Sequence, residues 1–216
     1  MAEGAASRTP SAMPYDPKKH HRRPIRLRGH NYSGGGAYFI TICVQDKQCM
    51  LGRVVDSRMT LSECGEVVQH VWETLPERFP ILVQDAFQLM PNHLHAILVI
   101  PGTGLEPSLA LATGTTVIQP SPQAVGTESR TRTPSMGQVV GAFKSISTIA
   151  VNRLEARAGR RLLQENFFEH IIRSVDELEK IRDYIRQNPA RWYEDPENPD
   201  RAPGDWLEIE RASLQG

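Results

Sequence analysis

A chain of 216 residues with 39% hydrophobic residues is long enough for one sizeable domain, with some length left for loops and tails. No apolar run approaches the roughly 18 residues of a membrane span, and the first residues contain no apolar segment of the secretory type, so we expect neither. The three cysteines form no C-x-x-C pair, so we expect reduced thiols and a cytoplasmic location.

Charge is unevenly distributed along the chain, although the net charge is zero. Residues 1–60 carry ten Lys and Arg against four Asp and Glu, whereas residues 190–216 carry three Arg against seven Asp and Glu. The densest basic stretch is KKHHRRPIRLR at residues 18–28. Such a stretch is typical of a solvated surface and also of a nucleic-acid contact, so the charge alone leaves both interpretations open.

The first elements predicted in chain order are two strands and a helix. AYFITICV at residues 37–44 is rich in β-branched and aromatic residues and follows three glycines, which predicts a buried strand. A second, shorter strand is predicted over residues 50–55. Apolar residues at helical spacing then predict a helix over residues 61–75. Its ends are predicted from a capping-box pair and a proline, at Thr60, Glu63 and Pro76.

Two further strands are predicted at residues 81–90 and 93–100, before and after a Pro-Asn turn. In the second strand, His93 and His95 are two residues apart, and alternate side chains of a strand leave the same face. The remainder of HLHAILVI is apolar on both faces. The pattern therefore predicts a central strand that is covered on both sides and carries two histidines on one of them.

A connector and a long helix follow. Residues 101–134 are rich in Gly, Thr, Ser and Pro, which predicts a flexible connector and no second domain. Ser135 and Gln138 have the spacing of a capping box. They predict the start of a helix that runs to about residue 157, with Gly159 beyond its end.

An extended segment over residues 162–173 and a helix over residues 175–187 complete the predicted elements. Asn188 and Pro189 end that helix, because the residue before a proline avoids the α region. The order of strands and helices predicts an antiparallel sheet with helices packed on it, which is an α+β fold.

Two pairs of residues have spacings that suit chemistry. His93 and His95 share a strand face and can bind one metal ion. They can equally be hydrogen-bonded core histidines, or histidines at a strand end that water reaches. Tyr184 and Asn188 are four residues apart on the last helix and so are neighbours on its surface. Their ordinary interpretation is a tyrosine at the margin of the core and an asparagine that caps the helix.

Five segments occur in an order that resembles a known family. They are RLRGHNYSGGGAYFITICVQDKQCMLGRVV, DAFQLMPNHLHAILVI, MGQVVGAFKSISTIAVNRL, NFFEHIIR and IRDYIRQNPARWYEDPENP. Over about residues 22–199, the chain resembles the REP-associated tyrosine transposases, relatives of the single-tyrosine insertion-sequence transposases within the HUH nucleases. The motifs that carry the resemblance are H-x-H, the Phe-Lys helix and Y-x-x-x-N-P.

The resemblance implies a ferredoxin-like antiparallel sheet flanked by helices, and it implies roles for four residues. His93, His95 and Asn188 would be ligands of a divalent metal, Mg²⁺ or Mn²⁺, and Tyr184 would be the nucleophile. The resemblance also implies contacts with single-stranded or hairpin DNA. We assign these contacts to basic residues, namely Arg22, Arg23, Arg26, Arg28 and Lys144.

The expected domain organisation follows from both the composition and the resemblance. Composition and charge predict a disordered basic arm over residues 1–21 and an acidic tail over residues 200–216. The resemblance implies a single transposase domain over residues 22–199, which contains the connector 101–134. We expect a monomer or a homodimer that has no membrane contact. In the wider family a dimer can place the tyrosine helix in the partner's site, and a long connector would permit that arrangement.

Three functions remain as hypotheses. The leading one is an enzyme that nicks and rejoins hairpin-associated single-stranded DNA through a 5′-phosphotyrosine. The alternative is a domesticated module that binds hairpin DNA with little or no catalysis. The third is a metal-dependent hydrolase that uses water, for which Asp85 and His170 are candidate additional ligands. DNA cleavage with and without Tyr184 separates the three.

Overall fold

The computed structural model of the chain describes residues 35–102, 105–115 and 133–201. The predicted basic arm lies outside the described residues, as do more than half of the predicted connector and the acidic tail from residue 202 onward. The described elements are, in chain order, β1 Gly36–Cys43, β2 Gly52–Val55, β3 Arg58–Leu61, α1 Glu63–Glu73, α2 Leu75–Arg78, β4 Val83–Leu89, β5 His93–Ile100, α3 Pro107–Ala112, α4 Met136–Leu154, β6 Phe168–Ile172 and α5 Val175–Gln187. Short 3₁₀ segments follow β1 and α5, at Gln45–Lys47 and Asn188–Glu194.

Four of the strands form one antiparallel sheet in the order β4-β5-β1-β6, and β2 pairs with β3 in a separate hairpin. Along the chain, β1, α1, β4, β5, α4 and β6 follow the β-α-β-β-α-β order of a ferredoxin-like fold. The order consists of two β-α-β halves. Strand β1 begins the first half and β5 begins the second, and these two strands are the central ones of the sheet. This topology confirms the α+β, ferredoxin-like fold class that the sequence resemblance implies.

All eight residues of β5 are buried, because both of its faces are covered. One face packs against α1 and α4, and the other packs against α3 and α5. Ile97 and Val99 lie on the second face, and side chains alternate along a strand, so His93 and His95 share that face. The prediction of a central strand covered on both sides is confirmed.

Helix α1 begins two residues later than predicted. Thr60 lies in β3, which pairs with β2, so Thr60 is not available to cap the helix. Ser62 caps it instead, and its hydroxyl accepts a 3.1 Å hydrogen bond from the Gly65 backbone N–H. The predicted capping box of Thr60 and Glu63 is therefore wrong.

Pro76 starts a helix and does not end one. Helix α1 ends at Glu73, and Leu75–Arg78 form the short helix α2 with Pro76 in its first turn. Proline is favoured in that position, because the first N–H groups of a helix have no partner within it and the φ angle of proline suits a helix. The prediction that Pro76 ends the helical region is wrong for this reason.

Helices α4 and α5 agree more closely with their predictions. The hydroxyl of Ser135 accepts a hydrogen bond from the Gln138 backbone N–H at 3.4 Å, and the Ser135 backbone N–H donates to the Gln138 side chain at 2.8 Å. These two bonds confirm the capping box of α4, which ends at Leu154. Helix α5 covers the predicted range. Within the described part of the chain, no helix is long and apolar enough to cross a membrane.

Part of the predicted connector is an ordered element. Residues 107–112 form α3, and its Leu109 and Ala110 are buried in the core beneath α5. Leu105 joins the same core. The prediction of a flexible connector is therefore wrong for residues 105–115, because a short apolar run among Gly, Thr and Ser residues was enough to pack one helical turn and a half.

The segment around β6 is shorter than its prediction, and β3 was not predicted. Of the extended segment 162–173, only Phe168–Ile172 form a strand, while Leu163 makes an isolated bridge to Val44. Strand β3 has four residues, of which Arg58 and Thr60 are exposed. A strand this short and this polar carries little hydrophobic signal.

Candidate active site

The two histidines of β5 form the centre of a buried polar cluster. His93 is 0% exposed and His95 is 4% exposed, and their Nε2 atoms lie 3.1 Å apart. The other nitrogen of each ring has a partner of its own, at 2.9 Å in both cases: Asn92 Oδ1 for His93 and Thr41 Oγ1 for His95. Because these partners occupy the Nδ1 atoms, the Nε2 atoms of the two rings face each other and are placed to bind one ion.

Burial keeps both imidazoles neutral. It lowers the pKa of His93 to about 3, with a further contribution from the charge of Lys47. Burial also lowers the pKa of His95 well below its usual range, and the neighbouring His93 acts in the same direction. The neutral imidazole is the form that binds a metal.

Asp195 is a member of the cluster that the sequence analysis missed. Its carboxylate lies 3.6 Å from Nε2 of His93, and the residue is 6% exposed. Ligand atoms of His93, His95 and Asp195 all lie within 4.8 Å of one another, which suits a shared metal ion. Asp195 follows the 3₁₀ segment after α5, and the sequence analysis gave it no role. The available signal was its place in IRDYIRQNPARWYEDPENP, the last of the segments that carry the resemblance.

Tyr184 reaches the same cluster from α5. Its hydroxyl lies 3.4 Å from Nε2 of His95. Tyr184 is 44% exposed, and the partial burial of its side chain raises its pKa to about 12, with a contribution from the charge of Asp195. The ring of Phe39 stacks on His95 at 5.6 Å and meets the Tyr184 ring edge to face at 6.0 Å, so one aromatic residue holds both side chains.

Asn188 lies one turn after Tyr184 and is 4% exposed. Its side chain interacts with the Tyr184 hydroxyl and with the Asp195 carboxylate. Its Oδ1 atom is buried and has no hydrogen-bond partner among the described residues. A buried acceptor without a partner costs about 1–3 kcal/mol, and a cation at this position would remove that cost. The donor set therefore fits a divalent metal.

All four residues singled out by the resemblance thus lie together in one chain. His93 and His95 come from β5, and Tyr184 and Asn188 from α5 and the residue after it. Their roles as ligands and nucleophile remain predictions.

The structure describes one of the five residues predicted to bind DNA. Arg22, Arg23, Arg26 and Arg28 lie outside the described residues. Lys144 is described, and its ammonium donates to the backbone carbonyls of Gln164, Glu165 and Asn166 at 2.9 to 3.2 Å. Burial lowers the pKa of Lys144 to about 8. Its hydrogens are thus used within the chain, and a contact between Lys144 and DNA stays a prediction.

The two candidate ligands of a water-using hydrolase are paired elsewhere. Asp85 accepts hydrogen bonds from the guanidinium of Arg182, and Nε2 of His170 lies 2.6 Å from the carboxylate of Glu177. Within the described ranges, the group of His, Cys, Asp and Glu side chains placed to hold a metal is His93, His95 and Asp195.

The fold and the cluster together define an α+β protein with a ferredoxin-like sheet and a buried His-His-Asp group on its central strand. No family model matches the chain. An uncharacterised protein of Haemophilus influenzae is 34% identical over 184 residues, which are 84% of this chain and 95% of that protein. The chain belongs to the same family as that Haemophilus protein.

Two solved structures are also similar to this chain. A REP-associated tyrosine transposase bound to a REP hairpin has 17% identity and a TM-score of 0.47, over 79% of this chain and 80% of that one. A proposed transposase from Deinococcus radiodurans has 14% identity and a TM-score of 0.38, over 74% of this chain and 95% of that one.

Proposed function

We propose that this chain is a metal-dependent single-stranded DNA endonuclease and transposase, which nicks and rejoins hairpin-associated DNA through a 5′-phosphotyrosine. The observation that carries the proposal is the 3.4 Å separation between the Tyr184 hydroxyl and Nε2 of His95. A metal ion bound by the two imidazoles would hold a phosphate beside this hydroxyl, which would then be placed to attack the phosphorus. The sequence resemblance supports the proposal, because it gives these same residues the roles of nucleophile and ligands.

Four side chains would hold the metal. The resemblance supplies His93, His95 and Asn188, and we add Asp195 because its carboxylate lies within the same 4.8 Å group as the two imidazoles. Carboxylate and amide oxygens suit Mg²⁺ and Mn²⁺ alike, while imidazole nitrogens favour Mn²⁺. When bound, the ion would polarise the scissile phosphate and offset the charge that develops on it.

The nucleophile has to lose a proton. The pKa of Tyr184 is about 12, so the hydroxyl is protonated at neutral pH. Nε2 of His95 lies 3.4 Å away but would be bound to the metal, so the proton would pass to water or to an oxygen of the Asp195 carboxylate that the metal leaves free. The charge of Asp195 already acts on this hydroxyl. In the proposed step, the tyrosine oxygen bonds to the scissile phosphorus, the bond from phosphorus to the 3′ oxygen breaks, and the 3′ oxygen takes up a proton. Attack by another 3′-OH reverses the step and rejoins the DNA.

The test is cleavage of a labelled single strand that carries a hairpin, in the presence of Mn²⁺. Tyr184→Phe removes only the hydroxyl, so we expect DNA and metal binding to persist while cleavage is lost. His95→Ala should lose metal-dependent cleavage and keep its fold. Tyr193→Phe is a matched control, because Tyr193 is 69% exposed and has no place in the cluster; it should cut like the wild type.

The competing functions give different results in the same assay. If Tyr184→Phe cuts at the wild-type rate, the proposal is wrong and the hydrolase that uses water is favoured. If the wild-type chain binds the hairpin and does not cut, the domesticated DNA-binding module is favoured.

A further inference from the structure

A buried side chain outside the proposed ligand set contacts both parts of the chain that supply ligands. Asn92 lies in the turn between β4 and β5 and is 0% exposed. Its Oδ1 atom lies 2.9 Å from Nδ1 of His93. Its Nδ2 atom donates to the Lys47 carbonyl at 3.1 Å and to the Glu197 carbonyl at 2.6 Å. Both amide hydrogens and the amide oxygen of this side chain therefore have partners.

The contact with His93 determines which ring nitrogen carries the hydrogen. Two backbone carbonyls at one end of the Asn92 amide can only accept, which identifies that end as the NH₂ group and the other end as the oxygen. An amide oxygen also can only accept, so Nδ1 of His93 must donate to it. Nε2 of His93 then keeps its lone pair, and this is the atom that faces His95 and Asp195.

The contact with Glu197 holds the segment that carries Asp195. The backbone N–H of Glu197 donates to the Asp195 carboxylate at 2.7 Å, and the Glu197 side chain forms an ion pair with Lys47 at 2.9 Å. The Asn92 amide links the backbone at Lys47 to the backbone at Glu197, because it donates to the carbonyls of both residues. One side chain thus ties His93 on the sheet to the loop that orients Asp195.

We propose that Asn92 is a positioning residue of the metal site, which sets the tautomer of His93 and holds the Asp195 segment against it. The inference rests on the proposed function and adds a residue that acts through the ligands. Side chains that orient ligands in this way typically change metal affinity by about 10–100-fold when they are removed. A purely structural asparagine would change stability and leave the tautomer and the metal affinity in place.

The first test reads the His93 tautomer in metal-free protein by ¹⁵N NMR of the imidazole nitrogens. We expect hydrogen on Nδ1 in the wild type and a gain of the Nε2–H form in Asn92→Leu, which removes the acceptor. Asn92→Asp keeps an acceptor for His93, so its tautomer should match the wild type. An unchanged Nδ1–H population in Asn92→Leu overturns the proposal. Because no metal or DNA is present, the result is independent of whether the protein cuts DNA.

The second test measures Mn²⁺ affinity by calorimetry. Asn92→Leu should bind Mn²⁺ about 10–100-fold more weakly. Asn92→Asp should also bind it more weakly, because its second oxygen would face the carbonyls of Lys47 and Glu197 and displace the Asp195 segment. If Asn92→Leu fails to fold, Asn92→Asp decides the question alone. Wild-type affinity in Asn92→Asp then overturns the proposal.

A matched control separates this role from the loss of a hydrogen bond. Asn152 lies on α4, against the opposite face of the sheet, and its Nδ2 donates to the Arg160 carbonyl at 2.8 Å. Asn152→Leu should lose stability and keep the Mn²⁺ affinity of the wild type. Equal Mn²⁺ affinities in the Asn92 variants and in Asn152→Leu would show that Asn92 has only a structural role.

Discussion

At the scale of single residues, the two histidines are fixed through the ring nitrogens that do not face the proposed metal. Asn92 fixes His93 from the preceding turn, and Thr41 fixes His95 from the neighbouring strand, where it lies directly opposite in the register of β1 and β5. Because Thr41 lies on the paired strand, its hydroxyl is positioned by strand pairing and not by a loop. The orientation of His95 therefore follows from the strand pairing itself.

Replacing the Thr41 hydroxyl tests this account. Thr41→Val keeps the size and the β-branch and removes the partner of Nδ1 of His95. We expect Mn²⁺ affinity to fall by about 10–100-fold, as for other groups that orient a metal-bound histidine. Calorimetric titration measures it, with Thr60→Val on the exposed strand β3 as the control that should bind normally. Normal affinity in Thr41→Val would show that His95 does not depend on this contact.

The charge of Asp195 can be tested separately from its size. Asp195→Asn keeps the shape and removes the negative charge beside His93. We expect Mn²⁺ binding to weaken by tenfold or more, which is about 1.4 kcal/mol or more, because the site loses its only anionic ligand among the four proposed. Glu194→Gln changes the exposed neighbour and should have little effect. Equal losses in the two variants would point to general surface charge and exclude Asp195 as a ligand.

At the scale of elements, the long apolar patterns of α4 and α5 were predicted well, and the short elements β3 and α3 were missed. Helix α5 covers its predicted range, because a strong apolar stripe lies between the Ser174 cap and an Asn-Pro pair. The short elements β3 and α3 have too few residues to show a period. Asp195 was missed for a related reason, since the 3₁₀ segment before it has no apolar repeat. In addition, residues 190–216 carry three Arg against seven Asp and Glu, a balance typical of a solvated tail.

Lys144 gives a prediction about how α4 holds the segment before β6. Its ammonium joins three consecutive carbonyls and lies 4.9 Å from the ring of Phe167. Lys144→Met should lower the free energy of unfolding by about 1–2 kcal/mol, because these charge-assisted bonds are lost. Arg153→Met, which removes a charge from an exposed position of the same helix, should cost much less. Urea unfolding measures both, and equal costs would contradict the structural role of Lys144.

At the scale of the whole molecule, the residues of the candidate site lie together within one chain. Tyr184 and His95 are in contact without a second copy, whereas the sequence resemblance also permits a dimer with the tyrosine helix in a partner's site. We therefore expect that a mixture of Tyr184→Phe and His95→Ala proteins stays inactive in DNA cleavage. Each variant should be mixed with wild-type protein as a control for interference. Activity restored by mixing the two variants would mean that the tyrosine acts in the partner.

The basic stretch at residues 18–28 gives a prediction about DNA affinity that is separate from the site. Neutralising Arg22, Arg23, Arg26 and Arg28 should weaken binding of single-stranded DNA and reduce its salt dependence. The slope of log affinity against log salt is about −0.7 per phosphate neutralised, so loss of four contacts should change it by roughly three. Fluorescence anisotropy over a range of salt concentrations measures this slope. An unchanged slope would favour the interpretation of residues 18–28 as a solvated surface.

The most direct test of the central claim is to identify the atom that becomes bonded to DNA. The wild-type protein would be incubated with Mn²⁺ and a hairpin-bearing single strand in water enriched in ¹⁸O, and the products digested and analysed by mass spectrometry. We predict a peptide that carries a nucleotide on the hydroxyl of Tyr184 through a 5′ phosphate, with no ¹⁸O in that phosphate. A free 5′ phosphate that contains ¹⁸O, with no modified Tyr184 peptide, would contradict the account and show that water is the nucleophile.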